Sequence, residues 1–286
     1  MNTKKVLIIG ASGMLGNAMT RYLINNNFLV TGTVRSIESI NSFPDFVQDK
    51  IIYGLDINEF KNVIELIKEL KPDVVINCVG VVKQLSNAND PLLVLPINSL
   101  FPHKLAQLCA NHNIRVIHMS TDCVFSGLQG GYTEDDIPDA TDLYGISKRL
   151  GEVDYPNAIT LRTSIIGHEL EGNRSLIDWF LSQKQEVEGY QSAIFSGLPT
   201  VEIARIIKDF VIPNEKLHGV YHVSAEPINK YDLLKLVADI YGHEIKITKS
   251  TNLKINRSLN SSRFRKFTGF VPEKWVKMIR IMKDFQ

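Results

Sequence analysis

Cysteine is scarce in this chain: three in 286 residues, at Cys78, Cys109 and Cys123. An odd, widely spaced set with no Cys-x-x-Cys argues against a disulfide framework and a structural zinc, and fits a reducing compartment. An excess of either charge is lacking too. Lys and Arg number 32 against 31 Asp and Glu, for a formal net charge of +1. With no long basic run, there is no electrostatic footprint for nucleic acid. Long apolar runs are also missing. The first, Val6 to Ile9, meets a glycine turn at once and is too short for a signal peptide or a membrane span. The seven histidines show no ligand spacing, so no metal site is expected. Repeats and low-complexity segments are absent. The expectation is a soluble cytoplasmic protein with one main domain and a smaller appendage.

What is present is an alternation of two kinds of segment. "VLIIG" (6–10), "FLVTGTV" (28–34), "DVVINCVG" (73–80), "RVIHMST" (115–121) and "AITLRTSIIG" (158–167) are short, apolar and rich in β-branched residues. Continuous apolar runs of this kind suit strands buried on both faces of a parallel sheet. Between them, 17–27, 58–70 and 102–113 carry a helical 3.6-residue period. The pattern predicts an α/β Rossmann-type doubly wound parallel sheet built from right-handed crossovers. It loosens after about residue 167. Helices are expected near 171–185, 200–211 and 229–241, and short strands at 219–224 and 244–248. We therefore expect a Rossmann domain over 1–167, on which the helix near 200–211 packs back. Residues 168–286 form mainly a smaller α/β substrate domain.

The first strand runs into "GASGMLG", with Gly10, Gly13 and Gly16 at fixed spacing. Early glycines allow a tight turn and close approach of a pyrophosphate; the last lets the next helix pack on the strand, its positive N-terminus facing the phosphates. Gly10, Ser12, Gly13, Met14, Leu15 and Gly16 are the expected cradle. An NAD site usually has a carboxylate at the end of the second strand. Here that strand ends with Arg35 and Ser36, and a guanidinium suits the 2′-phosphate of NADP. NADP(H) is therefore expected over NAD(H). Asp56 and Ile57, after a third strand, are placed to cradle the adenine. Cys78, Val79 and Gly80, small residues ending the fourth strand, let a cofactor lie close.

The fifth strand ends in Ser120, Thr121 and Asp122, at the sheet edge where ligands bind in open α/β folds. After one polar loop comes "DLYGISKRLGE", with Tyr144 and Lys148 one helical turn apart. A free tyrosine titrates near ~10. A neighbouring ammonium favours the phenolate and should lower that value toward neutral pH. A strand-end hydroxyl, a Tyr-x-x-x-Lys and a dinucleotide turn together point to hydride transfer at a carbonyl, with Tyr144 as the proton donor.

With these motifs the chain resembles the extended short-chain dehydrogenase/reductase family over nearly its whole length. "STDCVFSG", "GYTEDDIPDATDLYGISKRLGE", "LRTSIIG", "FSGLPTVEIARII" and "VSAEPINKYDLLKLVADIYG" look closest to its dTDP-4-dehydrorhamnose reductase branch. The resemblance implies that Thr121 orients the substrate oxygen, Tyr144 is the acid, and Lys148 assists it and holds the nicotinamide ribose. It also implies that Asn98 lies on the helix behind the site, and that Ser120 borders the cofactor. Dehydratases of the family carry Thr-Asp-Glu where this chain has Thr121, Asp122 and Cys123, so net reduction is expected over elimination. An epimerase of the same fold stays open. So does a noncatalytic NADP-binding subunit, since the beta subunit of methionine adenosyltransferase resembles the same branch.

The expected substrate is a nucleotide-linked 4-keto-6-deoxy sugar, a precursor for surface polysaccharide. Departures from the branch at 77–87 and in "NRSLNSSRF" leave dTDP-4-dehydrorhamnose and a UDP-linked N-acetyl sugar both open. Lys83, Thr121, Asp122, Cys123 and Arg257 are the candidate substrate contacts. Trp179 and Phe180 are read as core, with the option that their segment covers the sugar. A homodimer is compatible with the sequence but not required by it.

Overall fold

The computed structural model describes residues 3–83 and 88–286. Its centre is a seven-stranded sheet in which every pairing is parallel. The strands are β1 (Lys5–Ile9), β2 (Leu29–Thr33), β3 (Ile51–Ile52), β4 (Val74–Asn77), β5 (Arg115–Thr121), β6 (Ala158–Thr163) and β7 (Gly219–His222). They lie in the order β7-β6-β5-β4-β1-β2-β3. The chain winds outward from β1 to β3, then crosses back to β4 and winds the other way. The reversal between β1 and β4 opens a crevice at their carboxyl ends.

The continuous apolar runs follow from burial on both faces. Val6 and Ile8 of β1 join one core layer and Leu7 and Ile9 the other. Helix α1 (Met14–Asn25) covers the first layer with Met19 and Leu23, both fully buried. Each such side chain contributes about 1.5–3 kcal/mol by leaving water. Helices α2 (Phe60–Leu70) and α3 (Phe101–Ala110) cover the second layer with Val63, Ile67 and Leu105. Ahead of α3, Pro91–Leu95 leads into a wide π turn, Pro96–Leu100.

One expected strand sits elsewhere than its sequence position suggested. Residues 219–222, read as part of the second unit, are β7 and extend the main sheet by pairing with β6, Val220 beside Thr160. The chain beyond residue 168 in fact supplies two cores. Phe264, Phe270 and Met278 join the layer under α1. Ile177, Phe180, Leu233, Val237 and Ile279 form a separate cluster around helix Lys230–Tyr241. Short strand pairs flank that cluster, Val187–Tyr190 with Ile247–Ser250, and Ala193–Phe195 with Ile228–Asn229 and Ile255–Asn256. Among the described residues no helix is long and apolar enough to cross a membrane. Nor does any group of three or more His, Cys, Asp or Glu there stand ready to hold a metal.

Candidate active site

The glycine turn forms because the backbone permits no side chain there. Gly10 has φ +88°, a left-handed conformation that L side chains rarely adopt. At Gly16 an added Cβ would lie 2.0 Å from the Gly10 carbonyl oxygen. That contact sets how closely α1 approaches the end of β1. Gly13 is the N-cap of α1, with no side chain capping the first turn. The helix thus offers its positive end to whatever lies above the turn.

From this turn a cleft of about 530 Å³ runs along the carboxyl edge of the sheet. Gly13, Met14 and Leu15 line one end; Cys78, Val79 and Gly80, after β4, form its floor. The wall carries Ser120 and Thr121 from the end of β5 and Asp122 and Cys123 from the turn that follows, with Tyr144 and Lys148 from α4 (Leu143–Leu150). The structure therefore brings the two expected groups, turn and triad, to one cleft. Its small-residue floor and uncapped helix end could hold a dinucleotide, and Tyr144 and Thr121 lie where a carbonyl beside it would be reached.

Helix α4 begins where it does because the Asp142 side chain accepts from Gly145 N–H at 2.9 Å. Lys83 Nζ donates to the same carboxylate at 2.9 Å and lies 5.4 Å from the centre of the Tyr144 ring. Lys148 is 6% exposed, and its Nζ donates to the Met119 carbonyl at 2.7 Å. Burial lowers the Lys148 ammonium to about 8, with the Glu152 carboxylate acting to raise it. Thr121 Oγ1 accepts from Cys123 N–H at 3.1 Å and donates to Asp122 Oδ1 at 3.2 Å.

The direction of the tyrosine shift is opposite to the sequence expectation. Burial raises the Tyr144 phenol above its ordinary 10, Cys123 and Asp122 push the same way, and the Thr121 hydroxyl acts to lower it. Desolvation is the largest effect on the phenol, and Lys148 is itself buried with its Nζ on the Met119 carbonyl. The phenol therefore keeps its proton at neutral pH, which a proton donor requires.

Behind the cleft a buried polar network braces β5. Ser120 Oγ donates to Glu152 Oε1 at 2.7 Å, and Glu152 forms a two-pronged pair with Arg162, both bonds 2.7 Å. Arg162 also approaches His222 Nε2 at 3.2 Å, and His222 Nδ1 lies 3.0 Å from the Tyr132 carbonyl. Burial holds that histidine down at about 3, so it is neutral and accepts from Arg162. Ser120, expected to border the cofactor, does line the cleft, but its hydroxyl is engaged behind it.

Other expected residues fall outside the cleft. Asn98 is fully buried in the π turn. Its Oδ1 accepts from Val81 N–H at 2.8 Å, and its Nδ2 donates to the Val81 carbonyl and to Ser147 Oγ, each at 3.1 Å. It ties the β4 loop to α4, and both of its amide protons are used in doing so. Arg35, Ser36 and Asp56 are exposed beyond β2 and β3, and Ile57 packs partly into the cores. Of the divergent segment 77–87, residues 84–87, Gln84 among them, lie outside the described residues.

Beyond Asp122 and Cys123 the cleft opens into a second hollow of about 340 Å³. Trp179, Tyr190, Leu253, Ile255 and Arg257 line it. Arg257 donates to the Phe125 carbonyl at 2.8 Å and reaches Cys123 Sγ at 3.7 Å. Burial raises the Cys123 thiol to about 11, which keeps it neutral. Trp179 faces this hollow, whereas Phe180 is fully buried core. Sequence reasoning missed Arg174 and Lys230, both of which line the main cleft. For Lys230 a signal existed: a cation at the first position of a helix opposes the macrodipole.

The comparisons agree with this architecture. The family model described as "RmlD substrate binding domain" matches residues 4–284. The probable low-salt glycan biosynthesis reductase Agl14 of Haloferax volcanii is 34% identical over 164 residues, 56% of this chain but only 52% of that protein's length. A dTDP-4-dehydrorhamnose reductase from Aggregatibacter actinomycetemcomitans is 26% identical over 82% of this chain and 78% of its own. The crystal structure of dTDP-4-dehydrorhamnose reductase from Bacillus anthracis, in complex with NADP, superposes with a TM-score of 0.81. It covers 99% of this chain and 100% of that one at 20% identity, a likeness of fold.

Proposed function

The chain belongs to the RmlD substrate binding domain family, and from that membership and the geometry of the cleft we propose that it reduces the C4 keto group of a nucleotide-linked 4-keto-6-deoxy sugar. One observation carries the reading: Thr121, Tyr144 and Lys148 meet in the cleft that begins at the glycine turn. Reductases among its relatives support it. NADPH bound along the cleft would supply the hydride.

The protein's own residues do the rest. The end of α1 and the Gly10–Gly16 turn hold the diphosphate. Arg35, with no carboxylate at the end of β2, takes the 2′-phosphate, in keeping with the relative that binds NADP. Tyr144 gives its proton to the carbonyl oxygen as negative charge builds there, and the Thr121 hydroxyl, turning its one proton from Asp122 Oδ1, donates a hydrogen bond to the same atom. Lys148 fixes the ribose side of the site and adds a positive charge. The cluster around helix Lys230–Tyr241 forms the wall of the sugar pocket, so residues 168–286 act mainly as the substrate-binding part. The product would be a deoxyhexose or deoxy-aminohexose donor for surface polysaccharide.

The test is NADPH consumption with a panel of dTDP- and UDP-linked 4-keto-6-deoxy sugars, products resolved by NMR. At least one should be reduced stoichiometrically. Interconversion of stereoisomers without net NADPH loss would make the protein an epimerase. If NADPH bound but no sugar consumed it, a binding subunit would replace the enzyme.

A further inference from the structure

Lys230 is a cation held over an aromatic ring, with no hydrogen bond or ion pair among the described residues. It is the first residue of its helix, where the N-cap Asn229 accepts from Asp232 N–H and the macrodipole disfavours positive charge. Its Nζ lies 4.0 Å from the centre of the Phe195 ring and close to Asp122 and Cys123. Among the described residues it has no hydrogen-bond acceptor and no ion pair within bonding distance. An ammonium carries three donors, and leaving them unmet in a partly dry site is costly. Burial accordingly lowers it to about 8, with Asp122 acting to raise it. The other cations nearby each have an acceptor in the fold: Lys83 on Asp142, Lys148 on Met119, and Arg257 on Phe125.

Position then says what the free donors face. Lys230 lines both the main cleft and the second hollow, at their junction. Asp122 follows Thr121 directly, so a cation held near Asp122 lies within reach of ring atoms next to the carbonyl that Thr121 and Tyr144 address. Trp179, Tyr190 and Arg257 line the hollow further out, which leaves room there for the nucleotide. Resting on the sugar-nucleotide reading above, we propose that Lys230 is a specificity residue that donates to an acceptor oxygen on the hexose itself, a ring hydroxyl or the carbonyl of an N-acyl group. A site built this way discriminates strongly, because a sugar that covers this half-buried ammonium without offering an acceptor strips its water and leaves it unpaired.

Calorimetric binding to the NADP⁺-loaded protein tests this. The probes are dTDP-rhamnose and UDP-N-acetylglucosamine, with dTDP and UDP as controls lacking the sugar. Wild type should bind at least one sugar nucleotide more tightly than its parent diphosphate. Lys230→Met should weaken that sugar nucleotide by about ten- to hundredfold, the loss expected for a charged hydrogen bond, and leave dTDP and UDP unchanged. Lys230→Arg should recover most of the loss, and NADP⁺ affinity should match wild type in both variants, which reports intact folding. Equal weakening of the free diphosphates would overturn the assignment to the hexose. Unchanged binding of every probe would overturn any contact by Lys230 while leaving the reductase reading standing. Failure of wild type to bind any of the four would remove both.

Discussion

Replacing Glu152 with glutamine removes one charge while keeping the shape of the side chain, and the structure sets how much that should cost. Glu152 and Arg162 are 7% and 6% exposed and joined by two 2.7 Å bonds. The remaining neighbours of Arg162 are the neutral His222 and the Phe125 ring, whose centre is 5.3 Å away. Neither supplies an anion. Breaking a buried pair from one side typically costs about 3–5 kcal/mol, since the surviving charge stays desolvated. For a chain of 286 residues that corresponds to a fall in Tm of roughly 5–8 °C. Urea unfolding and thermal melts of Glu152→Gln measure it directly. The double variant Glu152→Met, Arg162→Met should regain much of the loss, because no unpaired charge remains. A single variant within about 1 kcal/mol of wild type would put the pair on a par with an exposed salt bridge and refute the reasoning.

The lysine at the site makes a pH prediction. Lys148 is charged below about 8 and loses its proton as pH rises through that value, so kcat/KM for NADPH, which reports the free enzyme, should decline above about pH 8. Glu152→Gln should move that decline to lower pH, since the carboxylate acts to raise Lys148; an unmoved profile would detach the decline from Lys148. Outside the cleft, just beyond β2, Arg35→Ser should weaken NADPH by about ten- to hundredfold through the loss of a charged hydrogen bond while NADH changes little. Equal effects on both cofactors, measured by fluorescence titration, would remove Arg35 from 2′-phosphate recognition.

How legible the molecule is in its sequence depends on how local each feature is. The strand, glycine turn and helix from Lys5 to Asn25 are readable because their causes lie within a few residues: an apolar run, then glycines that the backbone demands. Thr121, Tyr144 and Lys148 are readable too, since a strand end and one helical turn place them without knowledge of the rest. Distant pairings hid more. β7 joins β6 across more than fifty intervening residues, so its sequence suggested a place in the second unit. Lys230 enters the cleft only because its helix packs beside Phe195. Asn98 was matched by resemblance alone, and its bonds to Val81 and Ser147 could not be read from spacing. The Tyr144 shift was misread because spacing shows the lysine but not the burial.

The central claim is that Tyr144 hands a proton to a sugar carbonyl. Its most direct test is the single-turnover rate of NADPH oxidation by wild type and Tyr144→Phe, with the best nucleotide-linked 4-keto sugar from the panel. Removing the positioned donor should slow the chemical step by about 10²–10⁴-fold, with NADPH and sugar-nucleotide affinities held within a few-fold. Equal rates in the two proteins would contradict the account.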